Sequence, residues 1–313
     1  MKPLVILNPN SQGGKTGKLA DELLRVISRY VGEVDRRDTE SPRHGTTIAE
    51  EAALEGREMI IAVGGDGTIS EVANGLMRAR ATGATIPKLG IVGQGTGGDF
   101  RRSLDLEHRL DHYCETIARG KTRAIDIGEF RFTNHAGERD TAYFINILSA
   151  GMSGIADHYV ATANRRFGGT AAYFGASLKA LIESEVVAIQ CTVGVGEDEQ
   201  QFELASRIIA VCNGRYFGSG MEVAPMATTD DALFHVVTLG DASRLRFLFS
   251  TLSIYKGTHL KNPGVEVFPC DRITLDVKDP AKRHVFPIDV DGEALGLFPV
   301  EIKLIPGAIE IFV

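Results

Sequence analysis

Through the first third of the chain, short uninterrupted apolar runs alternate with stretches in which apolar residues recur at helical spacing, and glycine marks each change. Leu4 to Leu7, Met59 to Val63 and Leu89 to Val92 read as strands covered on both faces, since such runs leave no polar face for solvent. Behind the first, Leu19, Leu23, Val26, Ile27 and Tyr30 share a helical face. Behind the second, Ile69, Val72, Ala73, Leu76 and Met77 fall at i, i+3, i+4, i+7 and i+8, and behind the third a short helix begins near Asp99. This βα alternation predicts a doubly wound, mostly parallel α/β domain over residues 1–128. After Asp126 strand-like runs dominate: Tyr143 to Leu148, Val187 to Val195, Ile208 to Cys212, Phe234 to Leu239 and Ile273 to Val277. They predict a mainly antiparallel, β-sandwich-like domain over residues 129–301.

In a sheet of the first kind, ligands bind outside the carboxyl ends of the strands, and three glycine-rich loops fall there. These are Asn8 to Thr16, Gly64-Gly65-Asp66-Gly67-Thr68, and Gly93 to Gly98. Glycine permits positive φ and close approach of a ligand to the backbone, and a following helix start offers N–H groups to an anion. The middle loop reads as a phosphate-binding turn, although Thr68-Ile69-Ser70-Glu71 also spells a capping box, which needs no ligand. Gly14-Lys15-Thr16 is not a Walker P-loop, because Pro9 stands where that spacing requires glycine.

Length and charge narrow the partners. At 313 residues, with 43% hydrophobic content, the chain is long enough for two cores. A net charge of −7 argues against nucleic acid. The apolar run after Met1 is too short for a signal-peptide core, and no later run reaches membrane-spanning length, so the expected location is cytoplasmic. The four cysteines, Cys114, Cys191, Cys212 and Cys270, lie far apart and read as reduced thiols.

Aspartates recur where strands end: Asp66, Asp99, Asp126, Asp230-Asp231 and Asp289-Val290-Asp291-Gly292-Glu293. Phosphoryl transfer uses such residues twice over, to hold a hard cation against phosphates and to take the proton of the acceptor hydroxyl. Each also has a plain structural alternative. Asp99 can cap a helix, Asp126 between Ile125 and Ile127 can occupy the polar face of a strand, and Asp291-Gly292 is a common hairpin dipeptide.

Together these segments resemble the diacylglycerol kinase catalytic-domain family, which includes sphingosine, ceramide and bacterial lipid kinases. The match runs in order through Asn8-Pro9, Gly64 to Gly75, Gly95 to Arg101, Asp126 to Gly128, Asn146 to Gly151, Asn213 to Gly220, Ala224-Pro225, Asp230 to Leu233 and Asp291 to Glu293. The GGDGT turn is shared with NAD kinases; the Asn213 to Gly220 segment and Asp291-Gly292-Glu293 favour the lipid-kinase branch. The resemblance implies an NAD kinase/diacylglycerol kinase-like fold, with the last strand, 302–313, returning to the first domain. It implies ATP in a cleft between the domains, lined by Asn8, Thr39, Gly64, Gly65, Asp66, Gly67, Thr68, Gly95 and Thr96, with His44 nearby. Mg2+ would be held by Asp66, Asp99 and Asp126 through water. A second, structural Mg2+ would sit at Asp230, Asp231 and Leu233. Asp291 would be the general base toward a lipid hydroxyl, supported by Glu293.

Three departures stand out: Gly98 replaces the usual asparagine, Gly93-Gln94 replaces a proline-containing lead-in, and Ala232 stands where glycine is usual. The expected acceptor is a lipid of diacylglycerol or sphingoid type, met by peripheral contact at the inner face of the membrane, and a homodimer is allowed. Asn164 to Gly169 with Tyr173-Phe174, and Arg244 to Phe249, mix basic and aromatic residues as an interfacial patch does. The rival readings are a soluble-substrate kinase of the NAD-kinase kind and a binding module without catalysis.

Overall fold

The computed structural model describes residues 1–134, 136–162, 175–176, 179–240 and 253–313. The chain forms two units, Met1–Ile127 with Pro306–Val313, and Gly128–Ile305. In the first, β1 (Leu4–Leu7), α1 (Ser11–Lys18), α2 (Ala20–Val31), β2 (Asp35–Asp38), α3 (His44–Leu54), β3 (Met59–Gly64), α4 (Asp66–Ala81), β4 (Lys88–Gly93), α5 (Asp99–Ser103) and α6 (Leu110–Arg119) precede β5 (Thr122–Thr133). Its sheet is parallel in the order β2-β1-β3-β4, with registers such as Leu4↔Asp35, Leu4↔Ile60 and Met59↔Lys88. Leu4 to Leu7 and Ile60 to Val63 are fully buried, as strands with helices on both faces require.

Two elements of this unit carry little apolar periodicity. β2 is the run Asp35-Arg36-Arg37-Asp38 at the sheet edge, where charge discourages further strand pairing. Arg36 pairs with Asp38 at 2.6 Å and Arg37 with Glu55 at 2.7 Å. α3 is alanine-rich because it crosses α4 closely: a side chain at Gly75 of α4 would run into Thr46 and Ala49. Leu19 and Tyr30, expected on the buried face behind β1, are exposed; Leu19 lies between α1 and α2, and only Leu23 and Ile27 of that set are buried.

The second unit adds β6 (Arg139–Phe144), β7 (Ile147–Gly151), α7 (Met152–Thr162), β8 (Val187–Val195), β9 (Asp198–Ser206), β10 (Ile208–Cys212), β11 (Tyr216–Phe217), β12 (Met221–Glu222), β13 (Phe234–Leu239), β14 (Val265–Cys270), β15 (Arg272–Val277) and β16 (Ile288–Val290). β17 (Glu293–Phe312) starts here and ends in the first unit as one strand, longer than the expected 302–313. β14, β13, β10, β7 and β16 pair antiparallel in that order, and β8 pairs with β9 and β15. Strand alternation sends Leu148, Val211, Val236 and Ile288 to a core with Phe130, Phe144, Ile273 and Phe298. Ile147, Ala210 and Val237 face the opposite side, against Met152, Ala156, Leu181 and Val223. The run Tyr143 to Leu148, expected as one strand, is broken at Ile145-Asn146 for a reason that belongs to the site.

Candidate active site

In the first unit the three loops are tied together at the carboxyl ends of β1, β3 and β4. Asn8 Nδ2 donates to Thr68 Oγ1 at 3.1 Å, joining the first loop to the GGDGT turn. Gln94 N donates to Gly64 O at 2.6 Å, and a Cβ at Gly95 would lie 2.7 Å from the Cα of Gly65. The second and third loops therefore touch backbone to backbone, an approach only glycine allows. Thr39 is buried at the end of β2, donating its N–H to Leu7 O at 2.9 Å, while Thr96 is exposed. In α1, Gln12, Gly13 and Gly14 turn left-handed (φ +54°, +65° and +86°), so the loop expected at Asn8 to Thr16 is a kinked helix.

The capping box at Thr68 to Glu71 does not form. α4 begins at Asp66 without a side-chain cap, and Glu71 reaches out to α3. Its carboxylate accepts from Arg43 N and Gly45 N, both at 2.9 Å, and holds the turn that carries His44. Arg43 at φ +64° brings its amide into reach. His44 Nδ1 accepts from Glu40 N at 3.1 Å.

Asp66 likewise looks inward. Its carboxylate accepts from Gly98 N at 2.7 Å and from Asp99 N and Phe100 N at 3.2 Å, gathering the third loop onto the second. Asp99 is buried and pairs with Arg102 at 2.6 Å. Buried Asp126 accepts from Gly307 N at 2.8 Å. Among the described residues no group of three or more His, Cys, Asp or Glu is placed to hold a metal ion. Asp66, Asp99 and Asp126 therefore do not make a coordination shell of their own. Asp231 accepts from Leu233 N at 3.1 Å and contacts His235 Nε2 at 3.2 Å. Ala232 takes φ +60°, the left-handed conformation that explains glycine as the usual residue there.

Beneath the third loop, His108 Nδ1 and Tyr113 Oη are 3.0 Å apart. Burial pushes the Tyr113 hydroxyl up to about 12, with Asp66 adding to it and Arg101 opposing. Burial, then the charges of Arg101 and Arg102, pull His108 down, so the pair is neutral near pH 7.

In the second unit Asp291-Gly292 is the two-residue turn between β16 and β17, at φ +50° and +89°, with Val290 paired to Glu293. The turn also aims a carboxylate. Asp291 Oδ1 accepts from Asn146 N at 3.1 Å and Ile147 N at 3.0 Å, and Oδ2 from Ile145 N at 3.0 Å. This is why β6 and β7 are separate: amides that would alternate in a continuous strand turn together toward one acceptor. Asn213 Nδ2 donates to Ile145 O at 2.7 Å, and Asn146 Nδ2 to Tyr216 O at 2.8 Å, which fixes the same turn from the Asn213 to Gly220 segment. Roles for Glu71, Asn146 and Asn213 depend on contacts far apart in sequence, and no local signal announces them.

The two basic-aromatic stretches, 164–174 and 244–249, lie outside the described residues. No described helix is long and apolar enough to cross a membrane.

Residues 2–130 match the model of the diacylglycerol kinase catalytic domain, and residues 146–313 that of the YegS C-terminal NAD kinase beta sandwich-like domain. The chain belongs to the diacylglycerol kinase family of lipid kinases. Within that family it is 26% identical to a diacylglycerol kinase of Bacillus subtilis, over 95% of this chain and 91% of the relative. It is 30% identical to a protein named as a YegS-like lipid kinase of Yersinia enterocolitica, over 98% and 95%. A diacylglycerol kinase structure from Bacillus anthracis superposes with a TM-score of 0.71 at 20% identity, over 99% and 96% of the two chains. Yeast NADH kinase complexed with NADH superposes at 0.51 and 10% identity, over 99% and 82%. The expected fold class is thereby established: a parallel-sheet domain followed by a β-sandwich, shared by diacylglycerol kinases and NAD kinases. Membership of a kinase family implies the use of ATP.

Proposed function

We propose that this lipid-kinase family member transfers the γ-phosphate of ATP to a lipid hydroxyl, with diacylglycerol the acceptor favoured by the names of its relatives. In this reading Asn8, Thr39, the Gly64 to Thr68 turn and Gly95-Thr96 receive the nucleotide, and Asp291 takes the proton of the acceptor hydroxyl, with Glu293 beside it. The observation that carries the reading is the Asp291 carboxylate, held by three consecutive amides at a left-handed turn. A base so fixed loses no orientational freedom when substrate arrives. Mg2+ belongs to this reading as the counter-ion of the ATP phosphates, since among the described residues no group of three or more carboxylates, histidines or cysteines is placed to hold it alone. A lipid acceptor brings the chain to a membrane surface by peripheral contact.

The test is transfer from γ-labelled ATP to a total lipid extract spiked with NAD, followed by thin-layer separation. Label in a lipid phosphate supports the proposal, and a spot co-migrating with phosphatidic acid identifies diacylglycerol. Label in NADP makes the chain a soluble-substrate kinase, and ATP binding without any transfer makes it a binding module. Asp291→Asn should lower turnover by about 10²- to 10⁴-fold while leaving ATP affinity unchanged. Near-normal turnover removes Asp291 as the base.

A further inference from the structure

The family's usual asparagine is absent at Gly98, and its space is not empty. A Cβ at Gly98 would meet Arg101 Nε at 2.9 Å and Nη2 at 3.1 Å. The guanidinium lies where a side chain at position 98 would begin. The protein uses little of it: Nη1 donates to Leu106 O at 3.0 Å, and Nε is buried with no partner among the described residues. Its neighbour Arg102 is paired with Asp99, whereas among the described residues no ion pair engages Arg101. A half-buried guanidinium without a counter-charge is unfavourable unless an anion completes it. Arg101 also stands beside the phosphate-type loops: its charge acts on Tyr113 together with that of Asp66, and Asp66 holds Gly98 N.

We propose that Arg101 binds a phosphate group of the nucleotide, its guanidinium lying in the space that a side chain at position 98 would take. The proposal rests on the kinase reading, which makes the first unit's glycine loops a nucleotide site. A planar fork of N–H donors suits a phosphate better than a neutral amide does, and it brings a positive charge as well. The anion is identified by its chemistry, and a nucleotide carries it where inorganic phosphate carries it alone.

The experiment measures binding of ADP, adenosine and inorganic phosphate by titration calorimetry, with each variant's melting temperature as a control. Arg101→Ala should weaken ADP by roughly 10- to 100-fold and leave adenosine unchanged. Arg101→Lys keeps charge but loses the fork and should fall between. Gly98→Asn alone should weaken ADP, since its side chain meets the guanidinium, and Gly98→Asn with Arg101→Ala should recover part of the loss. Arg101→Ala binding ADP like the wild type overturns the proposal. So does an equal loss for adenosine and ADP, which would make Arg101 a brace for Leu106. A loss for inorganic phosphate without one for ADP also overturns it, as the site would then serve a free anion. If the wild type binds neither ADP nor adenosine, the kinase reading falls and this proposal with it.

Discussion

Removing the Asp66 carboxylate separates a fold-holding role from a metal-holding one. Its oxygens accept three backbone amides at 2.7, 3.2 and 3.2 Å, and only the first is short. Hydrogen bonds to a charged acceptor contribute about 1.5–3 kcal/mol each when independent. Here one part-buried carboxylate serves all three, and water reaches the freed amides in the variant, so the loss resembles that of a strong helix cap, about 0.5–2 kcal/mol. Adding the interaction of a carboxylate with the first turn of α4, about 0.3–1 kcal/mol, brings Asp66→Ala to about 1–3 kcal/mol. Asp66→Asn keeps one acceptor and should lose roughly half as much. The assay is urea denaturation of the nucleotide-free protein in EDTA, followed by circular dichroism because the chain has no tryptophan. With no cation and no nucleotide present, a residue whose work is metal binding contributes nothing. An Asp66→Ala midpoint equal to wild type, at unchanged slope, refutes the argument that this carboxylate holds the third loop on the second.

Two further outcomes follow from buried titratable groups. All four thiols are buried, and burial raises each: Cys114 to about 11, Cys191 and Cys270 to about 12, and Cys212 further still. A disulfide reagent at pH 8 should therefore label none of them within minutes in the native protein and four after denaturation; fast native labelling contradicts this. His108 and His259 are both held below the ordinary 6.5, chiefly by burial. The unfolded chain then binds more protons than the folded one between the folded values and 6.5, so stability is full above 6.5 and falls as pH drops through the folded values. Denaturation midpoints at pH 7, 6 and 5 should decline, and less so in a variant with both histidines replaced by glutamine; equal declines reject the assignment.

The parallel sheet was legible because its strands are sealed on both faces, and a sealed strand has no choice but to be apolar. Where burial is one-sided or absent, the signal weakens. β2 is four charged residues on an edge, and α3 is read from the crossing at Gly75 rather than from its own alternation. The capping box at Thr68 is a local pattern that a distant turn overrode, since Glu71 meets amides 28 and 26 positions away. Asp66 and Asp291 were legible as residues of interest from their type and position. Their grips were not, because Gly98 is 32 positions from Asp66, and Ile147 is 144 from Asp291. A sequence shows which carboxylate follows a strand; folding decides which amides come to it.

β17 carries a consequence for biosynthesis. Its last residues, Pro306 to Val313, belong to the first unit, where Ile311 lies beside Leu89 of β4, Ala308 O accepts from Arg80, and Gly307 N reaches Asp126. A ribosome delivers these residues only after all of Gly128–Ile305. The nascent first unit must wait through that interval with β4, an apolar strand, unpaired on one side, the kind of edge that recruits foreign strands. The second unit can complete itself in the meantime. Residue order in the gene thus makes the first unit the last to close.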